Sequence, residues 1–98
     1  MIVRIVKLTF KKENIASFEQ LFEETKDKIR SFKGCSFLEL YQDSEHPGIF
    51  FTYSYWQSTE ALESYRKSDF FKKVWGETKK MFENQPQAWT VNKIQTLD

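Results

Sequence analysis

The chain has 98 residues, enough for one domain and too few for two, so residues 1–98 are read as a single unit. Fifteen Lys and Arg against fourteen Asp and Glu leave a net charge of +1, which argues against a dedicated nucleic-acid binder, whose basic charge is concentrated for a phosphate backbone. One cysteine excludes an intrachain disulfide and a cysteine-rich metal site, and no apolar run is long enough to span a membrane.

The first ten residues alternate with Arg4 and Lys7 and lack the apolar core of a secretory signal. A cytoplasmic location is therefore the expectation. Ten Phe, four Tyr and three Trp are a large aromatic load for this length. They imply an apolar partner surface, an aromatic-lined pocket, or both.

Residues 2–10 alternate as a strand, with Ile2, Arg4, Val6, Leu8 and Phe10 on one face and Val3, Ile5, Lys7 and Thr9 on the other. Ile15, Phe18, Phe22, Thr25, Ile29 and Phe32 recur at steps of three and four, which predicts a helix over 15–32. Asn14 is its expected N-cap, and Gly34 is placed to end it in a left-handed conformation. A second strand is predicted over 35–42 and a third over 49–56, joined by the turn residues Asp43 to Gly48. A short turn between neighbours makes an antiparallel pair the simplest arrangement.

Ser58 caps a short helix carrying Ala61, Leu62 and Tyr65. Ser68 caps another, whose stripe is Phe71, Val74, Trp75, Thr78, Met81 and Phe82. Gly76 weakens that helix or admits a close neighbour. Pro86 stops it, and a last strand is predicted over 88–97. The order β-α-β-β-α-β, with its second helical region broken in two, is the ferredoxin-like α+β arrangement: helices on one face of a four-stranded antiparallel sheet. Val3, Ile5 and a third strand apolar on both sides then leave an uncovered apolar sheet face. Sheet-to-sheet homodimerisation is the expected remedy.

The segment Tyr55-Trp56-Gln57-Ser58-Thr59-Glu60-Ala61-Leu62-Glu63-Ser64-Tyr65, continuing to Ser68-Asp69-Phe70-Phe71, resembles the corresponding stretch of the antibiotic biosynthesis monooxygenase-like family. Lys33-Gly34-Cys35 and Glu39-Leu40-Tyr41 look like the start and centre of that family's second strand. The resemblance spans residues 2–97. It implies paired ferredoxin-like subunits whose sheets form a dimeric α/β barrel, each with a hydrophobic cavity between sheet and helices. It also implies oxidation of anthrone- or quinol-type aromatics by molecular oxygen with no cofactor. Haem-degrading relatives carry a His, a Trp and an Asn where this chain has Trp75, Tyr65 and Val6. Trp has no lone pair for iron and Val cannot hydrogen-bond an iron-bound oxygen, so haem is expected to be absent; with no glycine-rich phosphate loop and no clustered ligand set, so are flavin and metal.

Tyr65 is the expected catalytic residue: its hydroxyl either fills the core and donates to a backbone carbonyl, or faces a bound phenolate or ketone. Trp75, Phe71, Trp56 and Val6 are the expected pocket lining, each with a packing role as the alternative. Arg4, in phase with apolar neighbours, either snorkels to water or contacts an anion at the cavity mouth. Trp89 is expected against a partner subunit, His46 in an exposed turn, and Cys35 as a small buried residue. RNA-recognition domains share this element order, but Gly48-Ile49-Phe50-Phe51-Thr52-Tyr53 lacks their basic, glycine-containing strand motif. The function expected is oxygenation of a small aromatic compound. The alternatives are a non-catalytic homodimer that binds a small hydrophobic or aromatic molecule, and an isomerase of a small metabolite.

Overall fold

Strand β1 (Ile2–Thr9) runs antiparallel between β3 (Ile49–Trp56) and β4 (Gln87–Asn92), and β2 (Cys35–Gln42) pairs with the outer edge of β3. This computed structural model describes all 98 residues. The sheet order β2-β3-β1-β4, with α1 (Ile15–Arg30), α2 (Thr59–Lys67) and α3 (Asp69–Thr78) on one face, is the α+β ferredoxin-like fold. No helix is long and apolar enough to cross a membrane.

The β1–β3 register sorts the side chains of both strands. Ile2 faces Trp56, Arg4 faces Ser54, Val6 faces Thr52 and Leu8 faces Phe50, all under the helices. The opposite face carries Val3 beside Tyr55, Ile5 beside Tyr53 and Lys7 beside Phe51. Phe37 and Tyr41 of β2 and Trp89 and Val91 of β4 extend that second face. Its rings touch one another: Phe37 stacks on Tyr55 at 4.5 Å, and Tyr53 lies 5.6 Å from Tyr55. Tyr41, Trp89 and Val91 are exposed, with Trp89 at 45%.

Under the helices the core is in two pieces. At one end Leu8, Phe10, Phe18 and Phe50 are buried together, with Phe10 stacked on Phe18 at 4.2 Å. At the other end Cys35, Trp56 and Leu62 form a second cluster. Ser68 organises the helices between them. In an extended conformation it ends α2 and begins α3; its Oγ donates to the Tyr65 carbonyl at 2.6 Å and accepts from the Phe71 amide at 3.1 Å. Ser58 caps α2 in the same way, accepting from the Ala61 amide.

Several boundaries differ from the sequence-based expectations. Helix α1 stops at Arg30, and the chain turns so that the Phe32 ring meets Tyr65 edge-on at 5.2 Å. Asn14 holds the N-cap position without capping. A 3-10 turn over Lys12–Asn14 puts its backbone at ψ −1°, outside the extended cap geometry, and its side chain donates to the Met81 carbonyl instead. Helix α3 ends at Thr78 and continues as a 3-10 turn over Lys79–Met81. A Cβ at Gly76 would meet nothing within 4 Å, so no neighbour requires that glycine. Strand β4 ends at Asn92, not at 97, because Asn92 pairs with Ile2, the first residue of β1, and nothing remains for later residues to pair with.

Gly34 has φ +93°, and a Cβ built there would lie 2.5 Å from the Cβ of Ala61. Gly34→Ala combines left-handed strain with this clash. It should destabilise the fold by about 2 kcal/mol or more, read as a drop of roughly 10 °C in the thermal midpoint.

Candidate functional site

The two-part core leaves a gap. In the two middle rows of the sheet the helix-facing residues are Arg4, Ser54 and Leu38, then Val6, Thr52 and Leu40, flanked on β4 by Thr90 and Ala88. Small or polar side chains at the centre cannot reach the helices as Phe50 and Trp56 do in the outer rows. The result is a cavity of about 320 Å³ between sheet and helices. No helix packs closely over β4, so the cavity opens on that side, where its lining includes exposed Ala88 and Arg66 and half-buried Pro86.

All six residues singled out from the sequence, Tyr65, Trp75, Phe71, Trp56, Val6 and Arg4, line this one cavity. Four of them form an aromatic wall. Trp56 stacks on Tyr65 at 4.9 Å, Tyr65 meets Phe71 edge-on at 5.0 Å, and Phe71 lies parallel to Trp75 at 5.9 Å. The wall is continuous because Ser68 turns α2 into α3 between Tyr65 and Phe71. Trp56 is 1% exposed and donates its indole N–H to Ser54 Oγ at 3.0 Å, so it is a fixed floor to the site.

Tyr65 is half-buried. No hydrogen bond within the chain reaches its hydroxyl, while every fully enclosed polar side-chain atom of the fold has a partner; the hydroxyl is therefore not fully enclosed, and the residue lines the cavity. Burial, with a smaller contribution from Cys35, holds its pKa well above the ordinary value of 10.0. It is a hydrogen-bond donor throughout the neutral range. The ionisable side chains in the lining are Arg4, Tyr65 and Arg66, and none of these accepts a proton at neutral pH.

Arg4 reaches across the sheet to donate from Nη1 to Thr90 Oγ1 at 2.8 Å. Burial lowers its pKa first, then the like charge of Arg66, with Glu63 acting in the opposite direction. Arg66, which the sequence reading passed over, donates to Glu63 at 3.1 Å one turn away. A basic residue on a helix surface is ordinary, and no local signal marks this one. Thr52 and Ser54 were also passed over, although a signal existed: they interrupt a run of aromatics in phase with Phe50 and Trp56.

His46 lies in the exposed β2–β3 turn, against Asp43 at 3.0 Å, and Cys35 is buried. His46 is not among the cavity residues, and Cys35 packs behind the lining against Trp56 and Leu62 without joining it.

No curated protein matches the chain in sequence. Solved structures match its fold throughout. One described as an antibiotic biosynthesis monooxygenase superposes with a TM-score of 0.90 at 20% identity, covering 97% of this chain and all 100% of its own. A conserved protein from Methanosarcina mazei Go1 gives 0.88 at 22% identity, covering 95% of this chain and 93% of its own. Rv0793 from Mycobacterium tuberculosis gives 0.89 at 13% identity, over 99% and 98%. Residues 1–75 match the family model for antibiotic biosynthesis monooxygenase. That span contains every cavity residue except Thr78, Pro86 and Ala88, and the chain belongs to the antibiotic biosynthesis monooxygenase family.

Proposed function

We propose that this protein is a homodimeric monooxygenase that oxidises a small quinol- or anthrone-like aromatic compound without a cofactor. The observation that carries the reading is an aromatic-walled cavity lined by Tyr65, whose hydroxyl has no hydrogen-bond partner in the chain. A planar ring fits against Trp75 and Phe71, and Tyr65 donates to its phenolic or enolic oxygen. A donor held in an apolar site stabilises a developing oxyanion far better than water does.

In such a reaction the electrons come from the substrate anion. Oxidation of a ring CH₂ to a carbonyl gives up four electrons and reduces one O₂: one oxygen atom enters the ring and the other leaves as water with the two hydrogens. The cavity offers no base, so the substrate arrives as its anion or ionises in place beside Tyr65, Arg4 and Arg66. The same lack of a base favours one second reading, a homodimer that binds a small aromatic molecule and leaves it unchanged.

Tyr65→Phe keeps nearly all the apolar area and should alter stability by no more than about 0.5 kcal/mol. If the hydroxyl acts in the transition state, oxygen uptake on a panel of hydroxylated anthrones and naphthols should fall about 100-fold in kcat with little change in KM. An unchanged rate would remove Tyr65 from the mechanism. A native protein that binds the panel without oxygen uptake would establish the second reading.

The raised pKa of Tyr65 keeps that residue protonated up to and beyond its ordinary value of 10.0. With no other titrating group in the lining, kcat/KM should rise with pH at a midpoint that moves with the pKa of each substrate. One midpoint common to all substrates would point to an enzyme base instead.

The dimer would form through the helix-free sheet face, where Ile5, Phe37, Phe51, Tyr53 and Tyr55 are half-buried and Tyr41, Trp89 and Val91 exposed. A contiguous apolar face of this kind is rare on a monomer. Light scattering should give twice the chain mass at micromolar concentration, and Ile5→Glu should dissociate or unfold the protein. A wild-type monomer would rule the interface out.

A further inference from the structure

Arg4 is a half-buried cation with no acidic partner: the ion pairs of the fold are Lys26–Glu23, His46–Asp43 and Arg66–Glu63. A charge withdrawn from water is costly unless something compensates it, and here the chain supplies one direct contact, a threonine hydroxyl, with Glu63 acting on Arg4 only from beyond ion-pair distance. A second guanidinium, Arg66, lies near enough to act on it as a like charge. Each arginine makes a single side-chain hydrogen bond within the chain, so most of their N–H donors are unused. Both line the same cavity, where Arg4 lies beside β4.

We propose that Arg4 and Arg66 form an anion subsite at the mouth of the cavity, which holds a carboxylate borne on a planar apolar ligand. The assignment rests on the cavity being the ligand site, as in the function proposed above, and narrows the ligand class to aromatic monoanions. Two arginines and Glu63 carry a net single positive charge, which matches one carboxylate. The guanidinium fork suits carboxylate geometry, and the partly desolvated setting strengthens the contact. Glu63 competes for Arg66 and would give way to the ligand. The apolar body of the ligand then lies along Phe71 and Trp75, with its far edge toward Tyr65.

The test compares calorimetric titration of 2-naphthoate and of neutral 2-naphthylmethanol, two probes with one ring system. Naphthoate should bind about tenfold tighter, and its affinity should fall with added salt. Arg4→Gln and Arg66→Gln should each reduce naphthoate affinity about tenfold while leaving naphthylmethanol within about twofold. Glu63→Gln, which removes the competing carboxylate, should raise naphthoate affinity a few-fold; a purely structural ion pair would give no gain.

Equal affinity for the two probes would overturn the subsite and leave the aromatic cavity standing. So would a parallel loss of both probes in the arginine variants, or a weaker naphthoate complex in Glu63→Gln. If neither probe binds the native protein, the cavity reading falls with the subsite. Should Arg4→Gln fail to fold, Arg66→Gln and Glu63→Gln decide the matter, since both side chains are more than 40% exposed.

Discussion

Pairing Arg4 with Ser54 and Val6 with Thr52 puts small or polar side chains at the centre of the sheet's covered face, between rows that end in Phe50 and Trp56. Protein interiors close up wherever side chains are large enough to interdigitate. Here they do so at the two ends, as two separate buried clusters, and cannot do so in the middle. The cavity follows from that register. A one-residue slip of β3 within the sheet would exchange its faces and put Tyr53 and Tyr55 under the helices, filling it.

The chemical character of the cavity comes from what surrounds that gap. Helices α2 and α3 supply an aromatic wall, held in line by one serine that is the C-cap of one helix and the N-cap of the next. The sheet supplies Arg4, and α2 supplies both Tyr65 and Arg66, at adjacent positions that point differently. Tyr65 is pressed between Trp56 and Phe71, where burial keeps it protonated, while Arg66 stays at the solvent edge. A site with hydrogen-bond donors and no proton acceptor is suited to holding an anion. It is poorly suited to making one from a weakly acidic substrate.

The other sheet face answers to a different constraint. Strand β3 alternates Phe50, Thr52, Ser54 and Trp56 with Phe51, Tyr53 and Tyr55, so its aromatic rings are divided between two environments. Those under the helices meet the core. Those on the free face meet one another, Phe37 and Tyr41 of β2, and Lys93, whose ammonium lies 4.1 Å over the Tyr55 ring. Beyond Asn92 the chain carries Ile94 and Leu97, which are 85% and 90% exposed. Apolar surface of this extent beside a free sheet edge is the physical basis for proposing a second copy as its cover.

Much of the fold could be read from the sequence, because it depends on local periodicity and local caps. The alternation of β1, the three-and-four spacing of α1, Ser58, Ser68 and Gly34 act within a few residues of themselves and define the βαββαβ order. Features that depend on distant pairing could not be read locally. The end of β4 is set by where β1 begins, and Asn14 lost its capping role to a contact with Met81 far along the chain. Tyr65, Trp75 and Phe71 stood out as isolated side chains with a packing role as the competing reading. Only the tertiary structure decided that they share one wall with Trp56, that Arg66 joins Arg4 at its mouth, and that Thr52 and Ser54 leave the space between them. Periodicity assigns a residue to a face, but empty volume is a property of several faces at once, set by strand register and by the depth each facing side chain can reach.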